Sequence, residues 1–316
     1  MKIAVTGATG TIGRALVDAL TTRGDEVTAL SRDPERAARA TATAAGDTGT
    51  GSVETAAWAD PKGEPPPLDA LRGRDGIVHL LGEPIAQRWT DEARREILDS
   101  RVLATRNLVA ALAELPSAER PRVLVSQSAI GWYGPHGPEP LDESAPAGDD
   151  FQAEVVVAWE AEARRAEELG GLRVVRVRTG VVLSPSGGAL EKMLPFFKLG
   201  IGGPVAGGRQ YVPWVHLDDV VGALVFCLDN EAATGAINVT APTPTTNAEL
   251  SKALGRVLKR PAFLPVPGLA VKTLYGEMAS IVTNGANVQP KRLEELGYEF
   301  RQPALEPALQ SATGRN

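Results

Sequence analysis

Lys2-Ile3-Ala4-Val5-Thr6-Gly7-Ala8-Thr9-Gly10-Thr11-Ile12-Gly13-Arg14, followed by Ala15-Leu16-Val17-Asp18-Ala19-Leu20, is the stretch on which the reading of the fold turns. Ile3 to Val5 are apolar and partly β-branched, and Leu16, Val17 and Leu20 recur at helical period, so the stretch predicts strand, tight turn, helix. Three glycines fall between them at the spacing G-x-x-G-x-x-G. The chain must reverse at Gly7, a residue without Cβ at Gly10 lets a phosphate approach the backbone, and Gly13 lets the helix lie close to the strand. The helix start offers free N–H groups and partial positive charge to an anion. With Thr9, Thr11 and Ile12 completing the turn, a pyrophosphate is the expected guest.

A second strand at Glu26-Val27-Thr28-Ala29-Leu30 supplies the context that separates a dinucleotide site from a plain βα turn. It ends in Ser31-Arg32, where an NAD-binding fold usually places an acid for the ribose 2′-hydroxyl. Ser31 and Arg32 can bond a 2′-phosphate that a carboxylate would repel, so NADP (NADPH) is expected over NAD. Arg32 also has a plainer reading, as a solvated loop charge beside Asp33.

The chain of 316 residues is 43% hydrophobic and 23% charged, enough for one large domain or two closely joined ones. A net charge of −6 without a basic run speaks against a nucleic-acid or anionic-membrane partner and leaves a small-molecule substrate. Cys227 is the single cysteine, which excludes an intrachain disulfide and reads as a small core residue on an apolar helix. A strand begins at the second residue, so no signal segment is expected, and no apolar run is long enough to span a bilayer. Cytoplasmic localisation is the expectation. Three histidines far apart give no metal-site spacing.

Along the chain, Pro34 to Thr50 reads as a short helix and a flexible surface loop, Val53 to Trp58 as a strand, and Leu68 to Leu71 as a helix after a proline-rich connection. Gly76-Ile77-Val78-His79-Leu80-Leu81-Gly82 is a buried parallel strand, which places Leu81, Gly82 and Glu83 on the cofactor side. His79 within it reads as a buried, hydrogen-bonded histidine. Thr90 to Leu115 predicts a long helix interrupted near its start. Arg122 to Ser126 is a strand, Phe151 to Leu169 a helix, and Leu172 to Arg178 a strand. This alternation predicts an α/β fold, a Rossmann-type doubly wound parallel sheet, with a smaller C-terminal substrate lobe. The expected division is 1–180 for the nucleotide domain and 181–316 for the mixed lobe, parts of 181–250 returning to the first. Glycine runs around a helix at Ala189 to Leu199 suggest a mobile flap over a cleft. Helices follow at Leu217 to Leu228, at Asn247 to Leu258 capped by Thr245 or Thr246, and at Leu269 to Val282; Ala236 to Val239 is a strand, and Pro290 starts the last helix.

The glycine turn and Val215-His216-Leu217-Asp218-Asp219-Val220 resemble the extended short-chain dehydrogenase/reductase superfamily, in its nucleotide-sugar epimerase and dehydratase branch. His79-Leu80-Leu81-Gly82-Glu83-Pro84-Ile85-Ala86, Arg88-Trp89-Thr90, Ser100-Arg101-Val102, Gly207-Gly208-Arg209-Gln210 and Val288-Gln289-Pro290-Lys291-Arg292-Leu293 are similar to a narrower, atypical group of epimerase-family proteins with unassigned substrate. The similarity runs from Met1 to about Leu309. It implies hydride transfer at a sugar carbon: a tyrosine moves the hydroxyl proton, a lysine four residues later lowers its pKa and holds the ribose, and a serine bonds the same oxygen. Ser128 matches the serine. The helix that should carry the pair, Asp149 to Glu160, has neither tyrosine nor lysine; Phe151 or Gln152 stands near one place, Val155 or Val156 near the other.

Tyr133, on the cofactor-side loop, and Glu154, beside apolar valines that can raise a carboxyl pKa, are the candidate replacements. Their plainer readings are a packed aromatic and a solvated helix face. Arg176 and Arg178 end a strand at the carboxyl edge of the sheet and can fork onto a phosphate or carboxylate, Arg178 being assigned to the cofactor. For Arg176 a surface ion pair is the equal alternative. Arg209, Gln210 and His216 are assigned to the substrate, with Asp218 as a helix N-cap. The expectation is an NADP-binding oxidoreductase or epimerase, monomeric or homodimeric, acting on a small polar, nucleotide-sugar-like substrate. A non-catalytic NADP(H)-binding redox sensor remains open.

Overall fold

Strands and helices alternate through most of the chain, in a computed structural model that describes residues 1–41 and 51–315. The strands are β1 (Lys2–Thr6), β2 (Glu26–Ser31), β3 (Ser52–Ala57), β4 (Gly76–His79), β5 (Val123–Ala129), β6 (Pro140–Leu141), β7 (Arg173–Thr179), β8 (Val181–Leu183), β9 (Trp214–His216), β10 (Gly235–Val239) and β11 (Asn287–Val288). The helices are α1 (Thr11–Thr22), α2 (Pro34–Thr41), α3 (Leu68–Leu71), α4 (Asp91–Glu114), α5 (Phe151–Arg164), α6 (Gly188–Lys198), α7 (Leu217–Asp229), α8 (Asn247–Leu258), α9 (Gly268–Tyr275), α10 (Ser280–Thr283), α11 (Lys291–Glu295) and α12 (Leu305–Thr313). The flexible loop expected before Thr50 falls on 42–50, outside the described residues.

Among the described residues, seven strands form one parallel sheet in the order β10-β7-β5-β4-β1-β2-β3. Pairing in register, Ile3 opposite Val27 and Val5 opposite Val78, buries successive side chains of β1 on opposite faces. Ile3 and Val5 pack with Leu16 and Val17 of α1 and Val220 and Leu224 of α7. Ala4 turns the other way, into a cluster with Ile77, Leu124, and Leu108 and Leu112 of α4. Both faces are covered, which is why these strands read as nearly continuous apolar runs. β10 and α7 belong to this sheet although they lie beyond Gly180. A third cluster, with Leu190, Phe197, Trp214, Leu254 and Leu309, holds α6, α8 and α12 together.

Helix starts follow side-chain chemistry. Thr90 and Asp150 accept backbone N–H bonds from Ala93 and Ala153, and Thr246 forms a capping box with Glu249, deciding between Thr245 and Thr246. Four expectations need correction. α4 runs without interruption from Asp91. The strand expected over 76–82 ends at His79, where its pairing with β1 stops at Thr6. The helix expected over 269–282 stops at Tyr275, since Gly276 takes φ +65°, and a 3₁₀ turn precedes α10. His216, not Asp218, caps α7: its Nδ1 accepts from Asp218 N at 3.1 Å.

Candidate functional site

β1 and β4 are neighbours in the sheet while the chain after β1 winds outward the other way, through β2 and β3, so a crevice opens between their carboxyl ends. The glycine turn sits there. Gly7 holds φ +68°, and a Cβ on it would lie 2.8 Å from the Leu80 carbonyl oxygen. At Gly13 the same atom would stand 2.2 Å from Gly7 O, so strand and helix touch through bare backbone. Gly10 is different: the nearest atom to its Cβ position is Gly7 O at 3.4 Å, and the residue is exposed. It caps α1 without any side-chain bond, leaving the first N–H groups of the helix for a ligand. Closed at Gly7 and Gly13 and open at Gly10, the cradle fits a pyrophosphate. Gly187, whose Cβ would lie 2.6 Å from Thr11 Oγ1, brings the segment before α6 over the same turn.

Arg32 lies beyond β2 and forms no hydrogen bond or ion pair among the described residues. It lines a pocket of about 170 Å³ with Asp60, Lys62, Leu81, Gly82, Glu83 and Ser100. Ser31 Oγ stays local, donating to Asp33 O and accepting from Asp33 N. Arg32, Leu81, Gly82 and Glu83 are therefore brought together from the ends of β2 and β4.

Ser128 and Tyr133, expected in catalysis, and Arg178, expected at the cofactor, gather around one buried acid. Glu160 on α5 is 1% exposed and accepts from Ser128 Oγ at 2.6 Å, Arg178 Nε at 2.8 Å and Arg178 Nη2 at 3.1 Å. Tyr133 has no exposed surface; its hydroxyl donates to Asn238 Oδ1 at 2.7 Å and accepts from Arg178 Nη1 at 3.1 Å. Burial pushes the Tyr133 pKa up to about 12, opposite to what an acid/base at neutral pH needs. The Arg178 guanidinium also stacks on Trp132, 3.9 Å from the ring centroid. Parallel register puts Ser128 beside Arg178, so the two strands converge on a buried ion pair. Arg176 is paired too, with Glu167 at 3.2 Å and Glu160 at 3.7 Å.

Glu154 does face a cleft. About 670 Å³ opens between the start of α5 and the α9–α10 segment, lined by Asp150, Phe151, Glu154, Arg94, Lys272 and Glu277 among others. Arg94 stands 4.5 Å over the Phe151 ring and ion-pairs with Glu277, so α4, α5 and the C-terminal segment meet across it. Phe151, one of the two residues near the family's tyrosine place, lines this cleft. Arg209 is exposed and does not line this cleft, whereas Gln210 Nε2 donates to Val205 O at 3.0 Å and Val282 O at 2.8 Å as a tie between segments. His216 is 3% exposed, with its pKa lowered by burial and its Nε2 without a partner among the described residues. Sequence reasoning missed Glu160, although an acid inside the apolar stripe Val156, Trp159, Ala163 was a readable signal of a buried partner.

A doubly wound parallel sheet with an open glycine turn at its switch point defines a dinucleotide-binding protein of the Rossmann type. The chain belongs to the NAD dependent epimerase/dehydratase family, whose profile matches residues 3–240, and a domain of unknown function, DUF1731, matches residues 266–312. It is 39% identical over 311 residues to the epimerase family protein SDR39U1 homolog, chloroplastic, of Arabidopsis thaliana, covering 98% of this chain and 86% of that one. It is 37% identical over 314 residues to the epimerase family protein SDR39U1 of Mus musculus, covering 98% of each. Among solved structures, the human epimerase family protein SDR39U1 (isoform 2) with NADPH superposes with a TM-score of 0.86 at 34% identity, covering 100% of both chains. The family resemblance carried by the sequence motifs is borne out. Among the described residues no helix is long and apolar enough to cross a membrane, and no three potential metal ligands cluster.

Proposed function

We propose that this protein binds NADPH across the carboxyl ends of β1 and β4 and acts as an oxidoreductase or epimerase on a small polar substrate in the cleft beside Glu154. The single observation that carries the cofactor reading is the contrast among the three glycines, closed at Gly7 and Gly13 and open at Gly10. The human relative solved with NADPH supports it. Gly10 and the start of α1 hold the pyrophosphate, Leu81 and Gly82 flank the adenosine, and Arg32 takes the 2′-phosphate, for which it is free. When bound, the nicotinamide supplies or accepts a hydride. Glu154, exposed on the first turn of α5, is the carboxylate on that helix placed to move a substrate proton. The buried Cys227 thiol, with a pKa raised to about 12, has no redox part in this and suits a reducing compartment such as the cytoplasm.

One observation favours a second reading. The start of α5 has neither the tyrosine nor the lysine of the family pattern, and Ser128 is tied to Glu160, so a protein that binds NADP(H) as a signal without turning it over is consistent with the same geometry. Titration with NADPH and NADH tests the cofactor: Arg32→Glu should weaken NADPH at least about tenfold and leave NADH within about twofold, because it sets a carboxylate against the 2′-phosphate. Unchanged binding of both would remove Arg32 from the site. Loss of NADPH absorbance with any of a panel of carbonyl compounds excludes the pure sensor; tight binding with none turned over supports it.

A further inference from the structure

Arg101 leaves α4 toward the end of β4, and its Nη1 donates to the Ile97 carbonyl at 2.9 Å. Its guanidinium carbon stands 5.2 Å from the centroid of the Trp159 ring. A Cβ on Gly82 would lie 3.0 Å from the same carbon. The cation is held between an indole and bare glycine backbone.

The platform is itself locked. Trp159 Nε1 donates to Thr105 Oγ1 at 3.0 Å, Thr105 bonds His79 Nε2 at 3.1 Å, and His79 Nδ1 bonds Thr6 Oγ1 at 2.8 Å. This chain runs from α5 through α4 and β4 to β1, so the position of Arg101 is set by the centre of the sheet.

What the guanidinium lacks is an acid. Arg178 and Arg176 have Glu160, and Arg173 has three carbonyl acceptors. Arg101 forms no ion pair among the described residues; Glu83 attracts it through space only, and Nε and Nη2 donate to nothing. Desolvation draws its pKa down to about 10, which still leaves it charged at neutral pH. A desolvated cation on a rigid platform with two unused donors is built to receive an anionic or hydroxyl oxygen.

The place of that oxygen follows from Gly82. Gly82 lines the pocket of Arg32 and Ser100, where the adenosine half is read above, and Arg101 is not among that pocket's walls. Trp159 lies one helical turn beyond Val155, on the face of α5 that carries no cation of its own. We infer that Arg101 anchors the nicotinamide-mononucleotide half of the dinucleotide, its Nε and Nη2 donating to the phosphate or ribose oxygens of that half. Arg101 then supplies from α4 a positive charge that α5 does not provide. The inference rests on the NADPH reading.

Calorimetric titration of the full chain and of R101M and R101K, with NADPH and with adenosine 2′,5′-bisphosphate, separates the two. The second ligand has the adenosine half and lacks the nicotinamide half. R101M should weaken NADPH at least tenfold and the bisphosphate less than twofold, with R101K, which keeps the charge without the fork, losing about threefold for NADPH alone. Equal losses for both ligands, or no loss for either, overturn the inference while leaving the cofactor reading intact. An unaltered chain that binds neither ligand sinks both. Should R101M fail to fold, as judged by loss of a cooperative urea transition, R101K carries the test by the same comparison.

Discussion

Gly10 and Gly13 lie three residues apart in one turn, and a methyl group meets different surroundings at each. At Gly13 it would run into the Gly7 carbonyl at 2.2 Å, a backbone atom that cannot rotate away. Gly13→Ala should therefore cost about 1–3 kcal/mol of stability, the range for overpacking a tight contact. At Gly10 the backbone is extended at φ −75° and the space is open, so Gly10→Ala should cost about 1 kcal/mol or less, as a poorer helix cap, and still lose NADPH affinity. Urea unfolding and NADPH titration of both variants check this, and equal stability losses would count against the cradle. These glycines were legible in the sequence because their work is local. The gathering of Ser128, Arg178 and Tyr133 was not legible, because Glu160, which Ser128 and Arg178 share, lies 32 residues from Ser128, and adjacency along the chain does not say which side chains face inward.

The elements tell a related story. Periodicity located β1, α1, β2 and the strand at β4, because each buries a face that shows as a repeat. It did not find the break after α9, which depends on one glycine adopting positive φ, nor the continuity of α4, whose charged first turns sit against Phe151, Lys62 and Glu277. His79 ties three of these elements, and its burial has a consequence for acid stability. The imidazole pKa is lowered from 6.5 to about 4, so the folded protein favours the neutral ring. Its contribution is complete above pH 6.5 and is lost as pH falls toward about 4, because the unfolded chain takes up the proton first; the loss amounts to roughly 3 kcal/mol. The difference in unfolding free energy between the parent and His79→Gln should shrink across that window. A difference that stays constant from pH 7 to about 4 would mean the ring is not buried neutral.

Across the whole molecule, the C-terminal segment is fastened to the sheet by one buried acid and one half-buried acid. Asp219 on α7 is 1% exposed and accepts from Arg301 N at 2.7 Å, Gln302 N at 2.9 Å and the Tyr298 hydroxyl at 3.2 Å. Glu143 accepts from Asn238 N at 2.9 Å and from Arg292 N, joining the segment before α5 to β10 and α11. Asp219→Ala leaves two backbone N–H groups unbonded and should cost about 2–4 kcal/mol. Hydrogen exchange should show the Arg301 and Gln302 amides opening first while β1 and β5 stay protected; unchanged rates at 301 and 302 would deny the clasp its role. The sequence by itself determined the parallel sheet, the glycine turn and the family, since each is written in spacings of a few residues that recur wherever a strand feeds a helix. Only the tertiary structure decided that Tyr133, Ser128 and Arg178 close on one another, that Phe151 and Glu154 face the cleft, and that Arg101 stands unpaired on Trp159. Burial and charge pairing are relations between segments distant along the chain, and they take form only when the sheet brings those segments together.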